Sequence, residues 1–237
     1  MNLAIDCGNT RFKAGIFSGT HLEKKFIFPD TDELHKFLSG HSFENVMVSS
    51  VGMPGDQILA WARANRKFLL STSLSLPVTI RYKTPETLGV DRIAAVCGAL
   101  DLVPDQDCLV IDAGTCITYD FVDRNKNYHG GAISPGIEMR FKALHTFTER
   151  LPLVKAAKSE KLIGDSTESC IRSGVLNGVL AEMEGTIEKY KTEYPGLGVV
   201  LCGGDILFFE NNLKPPIFAT PDLVLSGVNR ILLHNAV

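Results

Sequence analysis

Two acidic turns lie where an apolar run ends, and their residue types suit a nucleotide and its metal ion. The first starts at Asp6 and the second at Asp112. The small residues of such a turn expose backbone N–H groups that can hold phosphate oxygens, while the carboxylate faces a cation. Two copies in one chain favour a duplicated fold with a nucleotide between its halves. The turns read Asp6-Cys7-Gly8-Asn9-Thr10 and Asp112-Ala113-Gly114-Thr115.

The elements that must position these turns follow a pattern that occurs twice. Each turn is followed by a run that can return as a hairpin partner, residues 11–17 and residues 116–122. Polar and apolar residues alternate over 11–17, which predicts a half-buried strand. The helix-breaking segment 103–107 predicts a boundary between an N-terminal domain, 1–105, and a C-terminal domain, 106–237.

Further strands and helices alternate within each half. In the first half we expect strands at 21–28, 45–51 and 78–82, and helices at 32–38, 56–66 and 89–102. In the second half we expect strands at 108–112, 197–202 and up to Ile133, a long helix from near Ser166, and a last helix at 223–233. Ser134 is expected to cap another helix, with Pro135 at its first position.

Bulk properties describe an ordinary globular protein. The chain has 237 residues, of which 45% are hydrophobic and 22% charged, with a net charge of -3. The chain lacks the excess of basic residues that is typical of proteins that bind nucleic acid. No apolar run is long enough for a membrane span or a secretory signal. The six cysteines show no C-x-x-C or metal-type spacing, so we expect reduced thiols in a cytoplasmic protein.

The ordered set of motifs resembles type III pantothenate kinases, a family of the actin-like ATPase and sugar kinase superfamily. Besides the two acidic turns, the set includes Gly89-Val90-Asp91-Arg92, the Gly130-Gly131-x-Ile-x-Pro-Gly136 segment, Thr167 and Gly203-Gly204-Asp205. The resemblance implies an α/β fold of two ribonuclease-H-like (actin-like ATPase) domains, with mixed five-stranded sheets and flanking helices. It implies phosphorylation of pantothenate to 4'-phosphopantothenate by ATP, the first step of coenzyme A synthesis. It also implies a divalent cation such as Mg²⁺, a monovalent cation (K⁺ or NH₄⁺) and a homodimer.

The first acidic turn is interpreted as the phosphate loop. Gly8 allows close backbone approach, and Asp6 can hold Mg²⁺ through water, because Mg²⁺ gives up its hydration reluctantly. The alternative is a plain β-hairpin, since Gly-Asn is a common turn pair. The cofactor-binding candidates are Asp6, Cys7, Gly8, Asn9, Thr10, Arg11, Phe12 and Lys13. Cys7 also places a thiol beside this loop, which could make it sensitive to oxidation.

Asp91 matches the catalytic aspartate of the family. Phosphoryl transfer needs a group that accepts the proton of the attacking hydroxyl, and the resemblance assigns that role to Asp91. From the residues alone, Asp91 is better explained as an acid favoured by the dipole at a helix N-terminus. Arg92 has the fork geometry that suits the pantothenate carboxylate. The resemblance adds Tyr82, Gly89, Val90 and Thr167 to the substrate site, although Tyr82 could be an ordinary strand-end aromatic and Thr167 a helix cap.

The second acidic turn has two interpretations. By resemblance Asp112 binds the monovalent cation and Thr115 contacts ATP. Asp112 could equally provide a second Mg²⁺ contact, or simply cap the turn. Gly203-Gly204 resembles the adenosine-side turn of the superfamily, but it is also a common connector. His129 and His145 lack paired spacing and are not expected to bind a metal.

Two alternative functions are kept open by the sequence. One is a kinase of the same superfamily that acts on another small hydroxyl compound. The other is a nucleotide-binding regulatory or accessory protein with weak catalysis, against which the three acids Asp6, Asp91 and Asp112 argue.

Gly174 and Gly178 lie in the long predicted helix, where each costs about 1 kcal/mol of helix stability relative to alanine. Packing against another backbone would offset that cost, so this face is a candidate dimer contact.

Overall fold

A computed structural model describes residues 1–8, 11–157, 161–213 and 217–236. The chain divides into two compact units. The first contains Met1–Asp105, Asp120–Gly130 and Asp222–Val237, and the second contains Gln106–Tyr119 and Gly131–Pro221. The predicted domains and the compact units both divide the chain between residues 105 and 106, but the first unit also includes two segments from the C-terminal half. The continuous domains 1–105 and 106–237 therefore stay a prediction.

The first unit is built on a mixed five-stranded sheet. Strand β1 lies at its centre, antiparallel to β2 and parallel to β4, and the order is β3-β2-β1-β4-β5. Because β1 and β4 are parallel, their carboxyl ends meet at one edge, where Asp6 lies. The strands are β1 (Asn2–Cys7), β2 (Phe12–Ser18), β3 (His21–Phe28), β4 (Ser42–Ser50) and β5 (Arg63–Leu69).

Helices cover this sheet and position the residues at its edge. Leu3, Ile5 and Cys7 alternate onto one face of β1 and join a core that includes Leu34 and Leu38 of α1. Helices α3 and α7 pack along each other, and α7 lies on β1. The helices of this unit are α1 (Thr31–Gly40), α2 (Gly55–Trp61), α3 (Val90–Ala99) and α7 (Leu223–Asn235).

Strand β5 corrects the helix expected at residues 56–66. Helix α2 ends at Trp61, Ala62 is extended, and Arg63–Leu69 pairs in parallel with β4. Pairing at an open sheet edge outweighs the helix propensity of a run rich in arginine and alanine. The charged residues of this edge strand, among them Arg66 and Lys67, also discourage pairing with another chain.

The second sheet has six strands in the described part of the chain, in the order β11-β10-β7-β8-β9-β6. The sequence predicted five. The additional strand, β6, comes from the N-terminal half and pairs in parallel with β9. Strands β8 and β9 run through both units. The six strands are β6 (Thr79–Ile80), β7 (Cys108–Ala113), β8 (Cys116–Val122), β9 (Asn127–Pro135), β10 (Gly198–Cys202) and β11 (Phe218–Ala219).

The helices of the second unit are α4 (Ile137–Thr146), α5 (Thr167–Glu193) and α6 (Ile206–Glu210). The expected start of α4 is wrong, because Ser134 and Pro135 end strand β9 and Gly136 is the N-cap. Helix α5 begins with a capping box, in which Ser166 and Ser169 exchange hydrogen bonds between side chain and backbone. In the described ranges, no helix is long and apolar enough to cross a membrane.

Candidate active site

The Asp6 carboxylate lies in a row of polar side chains across three strands. Asp6 faces Lys13 on β2 and Ser49 on β4 in the strand register, so the three side chains share one face of the sheet. Asp6 is 7% exposed and Ser49 is fully buried. The Ser49 hydroxyl has no hydrogen-bond partner among the residues that the structure describes. An acid and an unsatisfied hydroxyl side by side at a sheet edge fit a hydrated cation or a phosphate oxygen.

The rest of the predicted phosphate loop is only partly described. Asn9 and Thr10 lie outside the described residues, so their predicted contacts with phosphate stay predictions. Cys7 points into the core, with 1% of its surface exposed. Burial raises the pKa of the Cys7 thiol to about 12, and the Asp6 charge adds to the effect. The thiol is therefore protonated and inaccessible, which argues against oxidation sensitivity.

The other two residues after the loop differ in their surroundings. Arg11 is exposed, whereas Phe12 begins β2 and packs against the core on the side of Cys7. Phe12 is thus explained by packing, and its predicted contact with the cofactor stays a prediction.

Asp91 lies in the first turn of α3 and is half-buried. Its Oδ1 accepts a hydrogen bond from the backbone N–H of Arg92 at 2.9 Å. A Cβ at Gly89 would lie 2.5 Å from the same Oδ1, so Gly89 leaves the space that this carboxylate occupies. Val90 is the first residue of the helix. The Gly-Val-Asp-Arg motif thus builds a helix N-terminus with an oriented carboxylate.

Arg92 is buried and paired with an acid that the sequence reasoning did not select. Its Nε donates to both carboxylate oxygens of Asp120, at 3.0 and 3.2 Å, and its Nη2 donates to Oδ1 at 2.6 Å. The Tyr128 hydroxyl donates to Oδ1 at 2.5 Å. Burial alone would lower the pKa of Arg92, but the hydrogen bonds and charge of Asp120 raise it above its ordinary value. Arg92 therefore stays charged.

Tyr82 belongs to the same cluster of the first unit. It contributes, after Asp120, to the raised pKa of Arg92. Its ring lies over Gly130, where a Cβ would come within 2.7 Å of it, and Gly130 has a φ of +97°. Asp91 and Arg92 are neighbours in the first turn of α3, and the roles of Tyr82, Asp91 and Arg92 in the substrate site stay predictions. One signal could have revealed Asp120: an acid within the otherwise apolar end of a strand.

The second acidic turn is closely enclosed by backbone. A Cβ at Gly203, whose φ is +104°, would lie 2.5 Å from the Asp112 Oδ1 and 2.3 Å from the Ala113 carbonyl oxygen. A Cβ at Gly136 would lie 2.2 Å from the Gly114 carbonyl oxygen. Thr115 is exposed, and its carbonyl accepts from the Gly136 N–H at 3.1 Å. The Asp112 carboxylate offers the hard oxygen ligands that a monovalent or divalent cation takes, whereas the Ala113 and Thr115 carbonyls already accept backbone hydrogen bonds.

The Gly203-Gly204-Asp205 turn joins β10 to α6 and contacts the second acidic turn. The Asp205 backbone N–H donates to the Ala113 carbonyl at 2.9 Å. Burial, with a contribution from the Glu138 charge, raises the pKa of Asp205. Gly203 is therefore explained by close approach to Asp112 and Ala113, and its predicted adenosine contact stays a prediction.

Thr167 is exposed at the first position of α5, in the second unit. The residue that caps this helix is Ser166, so the capping role considered for Thr167 is wrong. Its exposed side chain is available for the predicted substrate contact.

Glu182, on the same helix, accepts hydrogen bonds from Ser134 and Arg140, each at 2.6 Å. Burial would raise the pKa of Glu182, but these hydrogen bonds lower it.

The two histidines have structural partners. His129 contacts Asp123 at 2.9 Å, and His145 contacts the Leu151 carbonyl at 2.8 Å. Within residues 1–8, 11–157, 161–213 and 217–236, no group of three His, Cys, Asp or Glu side chains is arranged to hold a metal ion.

Solved structures with the same fold cover nearly the whole chain. A conserved putative Baf family transcriptional activator from Campylobacter jejuni has a TM-score of 0.65 at 22% identity, covering 99% of this chain and 98% of that one. The activator of the 2-hydroxyisocaproyl-CoA dehydratase from Clostridium difficile, with bound ADPNP, has a TM-score of 0.54 at 12% identity, covering 99% and 93%. These similarities confirm the predicted fold class.

Related sequences identify the family. Residues 2–189 match the sequence profile of type III pantothenate kinase. The type III pantothenate kinase of Cytophaga hutchinsonii is 44% identical over 235 residues, covering 99% of this chain and 100% of that protein. The one from Bacteroides fragilis (strain YCH46) is 46% identical over 241 residues, covering 99% and 98%. The chain belongs to the type III pantothenate kinase family.

Proposed function

We propose that the protein transfers the γ-phosphoryl group of ATP to the primary hydroxyl of pantothenate, giving 4'-phosphopantothenate and ADP. The observation that supports this most strongly is the carboxylate of Asp91, oriented by the Arg92 backbone N–H at the start of α3, in a chain of this family. The hydroxyl oxygen forms a bond to the γ-phosphorus, the bond to the leaving ADP oxygen breaks, and the hydroxyl proton goes to Asp91.

The contacts of Asp91 suit a proton acceptor. One oxygen, Oδ1, accepts from the Arg92 N–H, which fixes the carboxylate at the helix N-terminus. A carboxylate held in a fixed orientation is the kind of group that can take up the proton of the attacking hydroxyl in phosphoryl transfer. Pantothenate is held in this proposal by the Tyr82 and Arg92 side chains, with Thr167 as a further contact. The orientation of these groups, more than covalent chemistry, lowers the barrier to phosphoryl transfer.

Two cations belong to the proposal. Asp6, next to the unsatisfied Ser49 hydroxyl, would hold Mg²⁺ through water, and Lys13 beside it would neutralise phosphate charge. Asp112 would hold K⁺ or NH₄⁺, and Thr115 would contact ATP. The cations would neutralise the phosphate charge that builds up during transfer.

We also propose that the protein is a cytoplasmic homodimer. Five of the cysteines are free thiols, which is the usual state in a reducing compartment: Cys7, Cys97, Cys108, Cys116 and Cys170. A Cβ at Gly174 or Gly178 of α5 would meet no described atom within 4 Å, and both residues are exposed. A second copy of the chain could pack closely on this helix face, which would offset the helix propensity lost at the two glycines.

The test of the proton acceptor is Asp91→Asn, compared with Asp56→Asn. Both aspartates lie in the first turn of a helix. Loss of the interaction with the helix dipole costs each variant about 0.3–1 kcal/mol of stability. If Asp91 accepts the proton, its substitution also lowers kcat roughly 10²–10⁴-fold, and that of Asp56 does not. The rate of phosphopantothenate formation from ATP, Mg²⁺, K⁺ and pantothenate gives the answer.

Two outcomes would count against the proposal. An Asp91→Asn variant with the kcat of the wild type would show that Asp91 is only a helix-terminal acid. Wild-type protein that binds ATP but forms no phosphopantothenate would favour the accessory-protein alternative instead.

A further inference from the structure

Asp120 is a buried acid in a strand of mostly apolar residues. It is 1% exposed, and its neighbours in β8 include Tyr119, Phe121 and Val122, all buried. A buried carboxylate is costly unless its charge is paired and its oxygens accept hydrogen bonds. Asp120 meets both conditions through Arg92 and Tyr128.

A need for stability does not explain this arrangement well. Replacing a buried ion pair by well-packed apolar residues is often neutral or stabilising, so such a pair is weak evidence for a stabilising role. The pair is instead very specific in geometry. Asp120 takes the Nε–Nη2 edge of the Arg92 guanidinium with both oxygens, and Tyr128 fixes one of those oxygens from the other strand of the hairpin.

This geometry determines how Arg92 can meet a ligand. Its Nε–Nη2 edge is occupied by Asp120, so a ligand can meet only the remaining donors of the guanidinium. An arginine without Asp120 could rotate about its side-chain torsions and present either edge. Because a bidentate partner fixes the plane of the guanidinium, a ligand carboxylate meets one defined orientation.

We infer that Asp120 is a positioning residue for recognition of the substrate carboxylate, acting through Arg92 and supported by Tyr128. The inference rests on the proposed function, in which Arg92 and Tyr82 bind pantothenate. It adds two residues, Asp120 and Tyr128, that lie in neither acidic turn nor in the Gly-Val-Asp-Arg motif. Neither touches the substrate; Asp120 holds the group that does.

The test is steady-state kinetics of Asp120→Asn, with Asp123→Asn as the matched control on the segment that follows the same strand. Asp120→Asn is expected to raise KM for pantothenate at least tenfold while KM for ATP changes less than twofold. Asp123 pairs with His129 at the hairpin turn, so its substitution leaves both constants unchanged. A double-mutant cycle supplies the second readout: in an Arg92→Ala background, Asp120→Asn lowers kcat/KM no further, because Asp120 acts only through Arg92.

Tyr128→Phe provides a second test that does not depend on whether Asp120→Asn folds. It keeps the ion pair and removes a single hydroxyl, and a two- to fivefold increase in KM for pantothenate is expected. If Asp120→Asn does not fold, Tyr128→Phe with unchanged KM for pantothenate would overturn the inference. Equal changes in the KM values of both substrates, or additive losses in the cycle, would also overturn it. Wild-type protein without pantothenate kinase activity would reject the proposed function, and the inference with it.

Discussion

Gly227→Ala tests the helix contact that supports Asp91. Gly227 lies on α7, and a Cβ there would come 1.7 Å from the Ala94 carbonyl oxygen and 2.9 Å from the Gly98 nitrogen, both on α3. These atoms belong to the backbone, so no side-chain rotation can relieve the overlap. The helices must move apart, and α3 carries Asp91 and Arg92 in its first turn.

The expected loss of stability follows from two opposing terms. Adding a methyl group to a well-packed contact costs typically 1–3 kcal/mol, and a clash between two backbones belongs at the upper end. Replacing a helical glycine by alanine returns about 1 kcal/mol of helix propensity. The net loss is about 2 kcal/mol, or roughly 4–8 °C in Tm for a chain of this length.

Gly40→Ala is the control, because Gly40 also lies in a helix of the first unit but a Cβ there meets nothing within 4 Å. Its stability should be unchanged or rise by less than about 1 kcal/mol. Urea unfolding gives both free energies, and kcat reports whether the shift of α3 reaches Asp91. If Gly227→Ala is as stable and as active as Gly40→Ala, α3 and α7 do not pack as closely as described at Gly227.

Three further predictions concern the cation, the thiols and the hairpin. Asp112→Ala should abolish the increase in kcat that K⁺ gives over choline at equal ionic strength; an unchanged increase would place the cation elsewhere. A thiol reagent should label the exposed Cys170 of the native protein rapidly and leave Cys7 unlabelled until urea is added; fast labelling of Cys7 would contradict its burial. Burial opposes a shift at Asp123, but hydrogen bonds from His129 and Asn127 lower its pKa to about 2. The ionised Asp123 therefore contributes its full stabilisation above pH of about 4 and loses it as the pH falls to about 2. The difference in unfolding free energy between the wild type and Asp123→Ala should shrink over that range; a constant difference would show that the charge of Asp123 does not stabilise the fold.

Much of the fold could be predicted because the strands carry regular patterns. The strand expected at 21–28 is β3, and the strand at 116–122 is β8. The error at β5 has a physical cause: its arginine and alanine residues favour a helix locally, and only the free edge of β4 makes them a strand. Pairing with a distant strand leaves no signal in the local sequence.

The candidate site shows the same limit. Gly89 leaves space for the carboxylate of Asp91 two residues later. Residues that interact over so short a separation form a local motif, which can be found from the sequence. Asp120 lies 28 residues from Arg92, and their pairing depends on where β8 runs relative to α3. A charged residue inside an apolar strand indicates that a buried partner of opposite charge exists. The sequence does not show which arginine that partner is.

The two acidic turns are alike in sequence but differ in what surrounds them. Asp6 lies beside a lysine and an unsatisfied serine hydroxyl, so its neighbours are side chains. Asp112 is closely approached by Gly203, where a Cβ would overlap both the Asp112 Oδ1 and the Ala113 carbonyl oxygen. Mg²⁺ keeps several of its waters and is held by one or two carboxylates, which agrees with the proposal that it binds at Asp6. K⁺ at Asp112 is a proposal that the Asp112→Ala experiment tests separately, because that variant leaves Asp6 and its neighbours unchanged.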